Sequence, residues 1–212
     1  MYRNVVRLVL TGFCILISIS QTSRAAEDQT QPSTASPPPV ATAPLPPAPP
    51  PNLPDFARGT WEITAEGAFA HSFATSPARI GAGSVGVGYF VDNDVSINLE
   101  AAGYSVRQPG PDSVITDLNL LLRHHAFVRD RFSLFFDVGG GVTYATAPTP
   151  YYATYFNFMA EAGAGVTWRL QDHLYLITGA RWLHFSNAAL KGPDRNPSIN
   201  AWEGYLGVMY TF

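Results

Sequence analysis

The chain has 212 residues and a formal net charge of −3, room for one domain with appendages and no cationic excess of the kind that marks a nucleic-acid binder. Charged residues make up only 14% of it, and Lys191 is the only lysine. Both facts argue against a soluble barrel, whose outer face needs lysine and glutamate to meet water.

At the N-terminus, Arg3 and Arg7 precede an apolar run from Leu8 to Ile19 that is too short to span a bilayer. Ser23-Arg24-Ala25 follows with small residues at the two positions a signal peptidase reads, so a cleaved signal over residues 1–25 is expected. Cys14, the only cysteine, falls inside the apolar run, and the exported chain would then carry no thiol and no disulfide. Residues 26–56 are expected to form a disordered, semi-rigid tether. Proline is dense there, as in Pro37-Pro38-Pro39 and Pro49-Pro50-Pro51, and proline has no N–H to give to a helix or a sheet.

From residue 57 to residue 212 the texture is that of alternating strands. Trp61, Ile63, Ala65 and Phe69 share one parity, while Thr60, Glu62, Thr64 and Glu66 share the other. The alternation recurs through Val85–Val91, Val95–Ala101, Val114–Leu122, Phe132–Val138, Phe156–Trp168 and Trp202–Phe212. The stretch near 174–186 is the least clear, because both of its parities are partly apolar. Tight breaks at Asp92-Asn93-Asp94, Arg129-Asp130-Arg131 and Gln171-Asp172-His173 alternate with looser ones near residues 75–77, 108–113, 147–150 and 188–198. Short turns at one end and longer loops at the other predict an all-β fold, an eight-stranded antiparallel transmembrane β-barrel with periplasmic turns and extracellular loops.

Charge decides which face is which. Glu62, Glu66, Glu100, Asp117, Arg123, Asp137, Glu161, Arg169, Arg181 and Glu203 all take the parity opposite the apolar set. They are expected in the lumen, paired acid to base, with the apolar set facing lipid, where an exposed Arg or Lys costs about 2–4 kcal/mol at midplane. A lipocalin would invert this arrangement. Tyr205, Gly207, Tyr210 and the terminal Phe212 match the aromatic-ended last strand of outer-membrane barrels, an expected signal for the barrel insertion machinery. Gly139-Gly140-Gly141 lies within a strand rather than between strand and helix, so it reads as an aid to curvature and not as a phosphate loop. Glu100, Asp117 and Glu161 have no metal-ligand spacing, and no cofactor is expected.

Reactive residues gather in the segment 181–200. His184 and Ser186 are two apart on a strand and project from one face, a minimal base and nucleophile. Parity counted from Phe212 turns Asn200 outward and Glu203 into the lumen, so if Ser186 faces outward Asn200 can reach His184 and Glu203 cannot. Asn200 could then hold one ring nitrogen, as asparagine does in papain-like triads. His71, near the top of the first strand, reads as an interfacial residue, and His124, His125 and His173 lie near turns.

The string His184-Phe185-Ser186-Asn187-Ala188, followed by Asn196-Pro197, resembles the lipid A 3-O-deacylase (PagL-like) family of outer-membrane acyloxyacyl esterases. Elsewhere the resemblance is one of architecture. It implies that His184 and Ser186 are the catalytic pair, that Asn187 and the backbone of Ala189 form the oxyanion site, and that Asn196 is a further polar loop position. The family usually has glycine where Ala189 stands, and its acidic triad member falls on Asn200, an amide in place of a carboxylate. The implied substrate is the 3-O-linked hydroxyacyl ester of lipid A in the outer membrane, with no metal required. The other class compatible with these residues is a non-catalytic structural or adhesin-like barrel. A narrow pore is disfavoured because side chains fill the lumen of eight strands. Homodimerisation is left open.

Overall fold

A computed structural model describes residues 55–73 and 77–212; the expected signal and nearly all of the expected tether lie outside the described residues. Eight strands run in sequence: β1 Trp61–Ser72, β2 Arg79–Asp92, β3 Val95–Arg107, β4 Ser113–Val128, β5 Phe132–Ala145, β6 Phe156–Gln171, β7 Leu174–Ser186 and β8 Ile199–Thr211. Each pairs antiparallel with its neighbours, and β1 closes on β8 from Glu62↔Thr211 to Ser72↔Ala201, so no sheet edge is left to face lipid with unpaired backbone groups. Strands of 12–16 residues exceed the 9–11 that a tilted crossing needs.

The tight turns fall where the sequence predicts them. Asn93-Asp94 joins β2 to β3 and Asp172-His173 joins β6 to β7, with Asp94 and His173 at φ 63 and 64, a left-handed conformation that Asp and His tolerate better than most residues. The four longer connections gather at the other end, which by the habit of outer-membrane barrels is extracellular. Aromatic side chains ring the outer wall near both ends: Trp61, Tyr89, Trp168, Tyr210 and Phe212 toward the turns, Phe73, Tyr144, Phe156 and Trp202 toward the loops. Such girdles mark the two membrane interfaces.

Inside, the lumen is layered. An apolar cluster that includes Ile80, Tyr104, Ile115, Met159, Leu183, Phe185 and Ile199 fills the loop end. A second cluster of Phe56, Phe90, Phe135, Tyr175, Ile177, Tyr205 and Met209 fills the turn end. Between them lies a belt of buried charge. Arg181 reaches Glu66 at 3.2 Å, Asp137 at 3.4 Å, Glu161 at 3.7 Å, Glu100 at 3.8 Å and Glu203 at 4.0 Å. Arg123 reaches Asp137 at 3.4 Å and rests on the ring of Phe135. The charges lie in the lumen as expected, but the pairing is many to one, with several carboxylates sharing one guanidinium, and Glu62 and Asp117 are in no ion pair among the described residues. The apolar end layers also explain why β7 is hard to read from sequence: its lumen side carries Tyr175, Ile177, Leu183 and Phe185, with Arg181 alone in the charged belt.

The turn end is also stoppered from outside the strands. Phe56 stacks on His125 at 4.2 Å and tilts against Tyr175 at 5.4 Å. The Asp55 carboxylate accepts bonds from Tyr175 and, at 2.9 Å each, from Arg169 and Thr211, and it pairs with His173 at 2.6 Å. Burial alone would raise the pKa of Asp55, but these hydrogen bonds and the facing His173 outweigh it and hold the carboxyl below its ordinary value of 3.8. The packed unit therefore includes Asp55 and Phe56.

Candidate active site

The site is built by the last hairpin. In β7 the odd residues Leu183 and Phe185 are buried, as is Asn187 just beyond the strand, so Trp182, His184 and Ser186 face outward near the extracellular end. In β8 the parity puts Glu203 in the lumen and Asn200 and Trp202 on the outer wall. The register pairs His184 with Asn200 and Trp182 with Trp202. Asn200 is on the outward parity yet only 5% exposed.

Four polar side chains form a continuous string. Ser186 Oγ lies 3.1 Å from His184 Nε2, and His184 Nδ1 lies 2.9 Å from Asn200 Oδ1. Asn200 Nδ2 in turn donates to Ser198 Oγ at 3.3 Å. With its amine end on Ser198, Asn200 presents its carbonyl oxygen to the ring. That oxygen can only accept, so Nδ1 carries the proton and Nε2 is left with its lone pair toward Ser186. The indole of Trp182 stacks beneath the imidazole at 5.7 Å and limits its rotation.

Asn187, Ala189 and Asn196 sit in the connection beyond Ser186. The Asn187 backbone N–H donates to Asn196 Oδ1 at 3.1 Å, its side-chain amine to the Arg195 carbonyl at 2.7 Å, and the Ala189 N–H to Asn187 Oδ1 at 3.0 Å. The structure thus brings His184, Ser186 and Asn200 together on the wall, and Asn187, Ala189 and Asn196 together in the adjoining connection, where the Asn187 and Ala189 donors are engaged within the connection itself. Ala188 and Ala189 hold φ of 50 and 61, a left-handed conformation costing roughly 1–2 kcal/mol per residue with a side chain. A short 3-10 helix, Pro193–Arg195, completes the connection. Sequence reasoning gave no role to Ser198 or Trp182. The same two-residue, same-face spacing that links His184 to Ser186 also links Ser198 to Asn200 and Trp182 to His184.

Comparison with known proteins identifies a family. The family model described as "Lipid A 3-O-deacylase (PagL)" matches residues 85–209, more than half of the chain and all but the last two residues of the β7–β8 hairpin. No curated protein matches. Among solved structures, the outer membrane enzyme PagL is 16% identical with a TM-score of 0.51, over 68% of this chain and 97% of that one. Neisserial surface protein A (NspA) is 14% identical with a TM-score of 0.51, over 72% of this chain and 94% of that one. At such identities these two likenesses speak for the fold, the small outer-membrane barrel. From the matched span, the chain belongs to the lipid A 3-O-deacylase (PagL) family of outer-membrane β-barrels.

Proposed function

We propose that this barrel hydrolyses the ester of the 3-O-linked hydroxyacyl chain of lipid A, with Ser186 as nucleophile, His184 as general base and Asn200 as the residue that orients it. The observation that carries the reading is the string from Ser186 through His184 to Asn200 on the outer wall. His184 Nε2 takes the Ser186 proton as Oγ attacks the ester carbonyl, and later returns it to the leaving sugar hydroxyl. Water then repeats the sequence on the acyl-enzyme and frees the hydroxy fatty acid. The pair sits at the level of the extracellular aromatic girdle, so a lipid ester reaches it sideways from the outer leaflet.

The oxyanion that forms in each step needs donors, and Asn187 and Ala189 supply them in this proposal. Both are engaged in the described conformation, so the turn 187–190 must open by exchanging at least one internal hydrogen bond for one to the substrate. The left-handed backbone at Ala188 and Ala189 lowers the cost of that exchange, because strain is relieved when the turn moves. Each aimed donor lowers the barrier by roughly 2.7–4 kcal/mol. The likeness to Neisserial surface protein A keeps a non-catalytic barrel as the second reading. Mass spectrometry of lipid A exposed to the intact chain or to Ser186→Ala separates the two: loss of one hydroxyacyl group only with Ser186 present supports the esterase, and identical lipid A from both folded forms supports the structural barrel.

A further inference from the structure

Arg79 opens β2 and Arg107 closes β3, and the register sets them directly opposite one another. His71 of β1 stands opposite Arg79, and Trp202 of β8 opposite His71. These side chains form an outward-facing row, Trp202, His71, Arg79, Arg107, along the extracellular rim beside the candidate active site. His71 and both arginines are exposed. Among the described residues no carboxylate comes within ion-pair distance of either arginine. Like charges directly opposite destabilise a strand pair, and nothing in the barrel wall offsets this one. A cleft of about 400 Å³ lies over the row, lined by His71, Arg79, Arg107, Gln108 and the Pro77 and Pro109 rings.

We propose that Arg79 and Arg107 bind a phosphate monoester on the head group of the same lipid whose ester Ser186 attacks; this rests on the esterase reading. A phosphate offers several acceptor oxygens to two guanidinium forks and cancels their repulsion. The row belongs to the lipid-facing parity and continues into Trp202, which stacks on Phe73 at 6.0 Å within the aromatic girdle, so the anion it meets is held at head-group depth. Arg79 is three strands from β7 across the β1–β8 seam, about 14 Å at ~4.8 Å per strand. That is within the span of two linked sugar rings plus an arginine side chain. The pair therefore sets where the head group sits and which ester faces Ser186.

Binding to the full chain carrying Ser186→Ala, in phosphatidylcholine vesicles, tests this without turnover. The probes are lipid A with its phosphates and lipid A with its phosphates removed. Arg79→Gln with Arg107→Gln is expected to weaken binding of the phosphorylated lipid at least about tenfold, the range of hydrogen bonds to charged groups, and that of the phosphate-free lipid less than about twofold. Arg79→Lys with Arg107→Lys is expected to recover part of the loss. Equal loss for both lipids, or loss for neither, overturns the proposal. Phosphatidylglycerol in place of phosphatidylcholine is expected to leave the difference intact; if it erases the difference, the row reads leaflet phosphate in general and the assignment to the substrate fails. If the chain with Ser186 intact releases no acyl group while the binding difference persists, the esterase reading fails and the phosphate site stands.

Discussion

Replacing Asn200 with aspartate keeps the shape of the side chain and exchanges a neutral acceptor for a charged one on the same ring N–H of His184. In the structure the amide oxygen already faces Nδ1 at 2.9 Å, so the tautomer that leaves Nε2 free is in place before the substitution. The gain is then the difference between a neutral and a charge-assisted hydrogen bond to the imidazolium that forms in the transition state, roughly 1 kcal/mol, or about fivefold in kcat. It falls well short of the roughly 10⁴-fold separating Asp from Asn in serine proteases, where the amide brings the wrong tautomer. Ser198→Ala removes the bond that keeps the amine end away from the ring, so it is expected to lower kcat about threefold to tenfold in the Asn200 chain and much less in the Asn200→Asp chain. Asn200→Leu, with no acceptor at all, is expected to lose about a hundredfold, combining the lost bond with a ring held only by its stacking on Trp182. The assay is release of hydroxy fatty acid from lipid A in detergent, with barrel folding confirmed by electrophoretic mobility before and after heating. A folded Asn200→Asp protein slower by tenfold or more, or a folded Asn200→Leu protein at full rate, would refute the orienting role.

Other expectations follow from the same geometry. Arg181→Met leaves Glu66, Asp137 and Glu161 without their shared cation in the buried belt, and should destabilise the barrel by about 3–5 kcal/mol in urea titrations in lipid; a change under 1 kcal/mol would mean that the belt is held by other means. Ala189→Gly relieves a left-handed residue at the cost of a floppier unfolded chain, so stability should stay level or rise by up to about 1 kcal/mol. A clear loss there would show the strain to be absent. The Asp55 carboxyl is held below its ordinary value of 3.8, so its contribution is full above that pH and fades as pH falls through the lower folded value. Thermal scans of the native chain and Asp55→Asn should accordingly show a Tm gap near neutrality that closes on acidification; a gap that widens in acid would reverse the assignment.

Much of this arrangement could be read from residue parity. Ten charges on one parity predicted the lumen, and counting back from Phe212 predicted that Asn200 and not Glu203 meets His184. Parity works because one face of each strand meets lipid, where charge is costly, so the pattern has little freedom. It weakens on β7, whose lumen side passes through both apolar layers and crosses the charged belt only at Arg181. What parity cannot supply is contact between elements distant in sequence. The stopper at the turn end ties Asp55 to Arg169, Tyr175 and Thr211 across more than a hundred residues, and no local pattern announces it. The engagement of Asn187 with Ala189 and Arg195 is likewise a property of backbone conformation, since two consecutive left-handed alanines are not what those residue types favour.

The measurement that bears most directly on the proposed chemistry is the mass of lipid A recovered from outer membranes holding equal amounts of the folded native barrel or its Ser186→Ala form. Lipid A lighter by one hydroxyacyl group with the native chain, and of full mass with Ser186→Ala, is the predicted result. Lipid A of the same mass from both, whether shortened or intact, would contradict a role for Ser186 as the nucleophile.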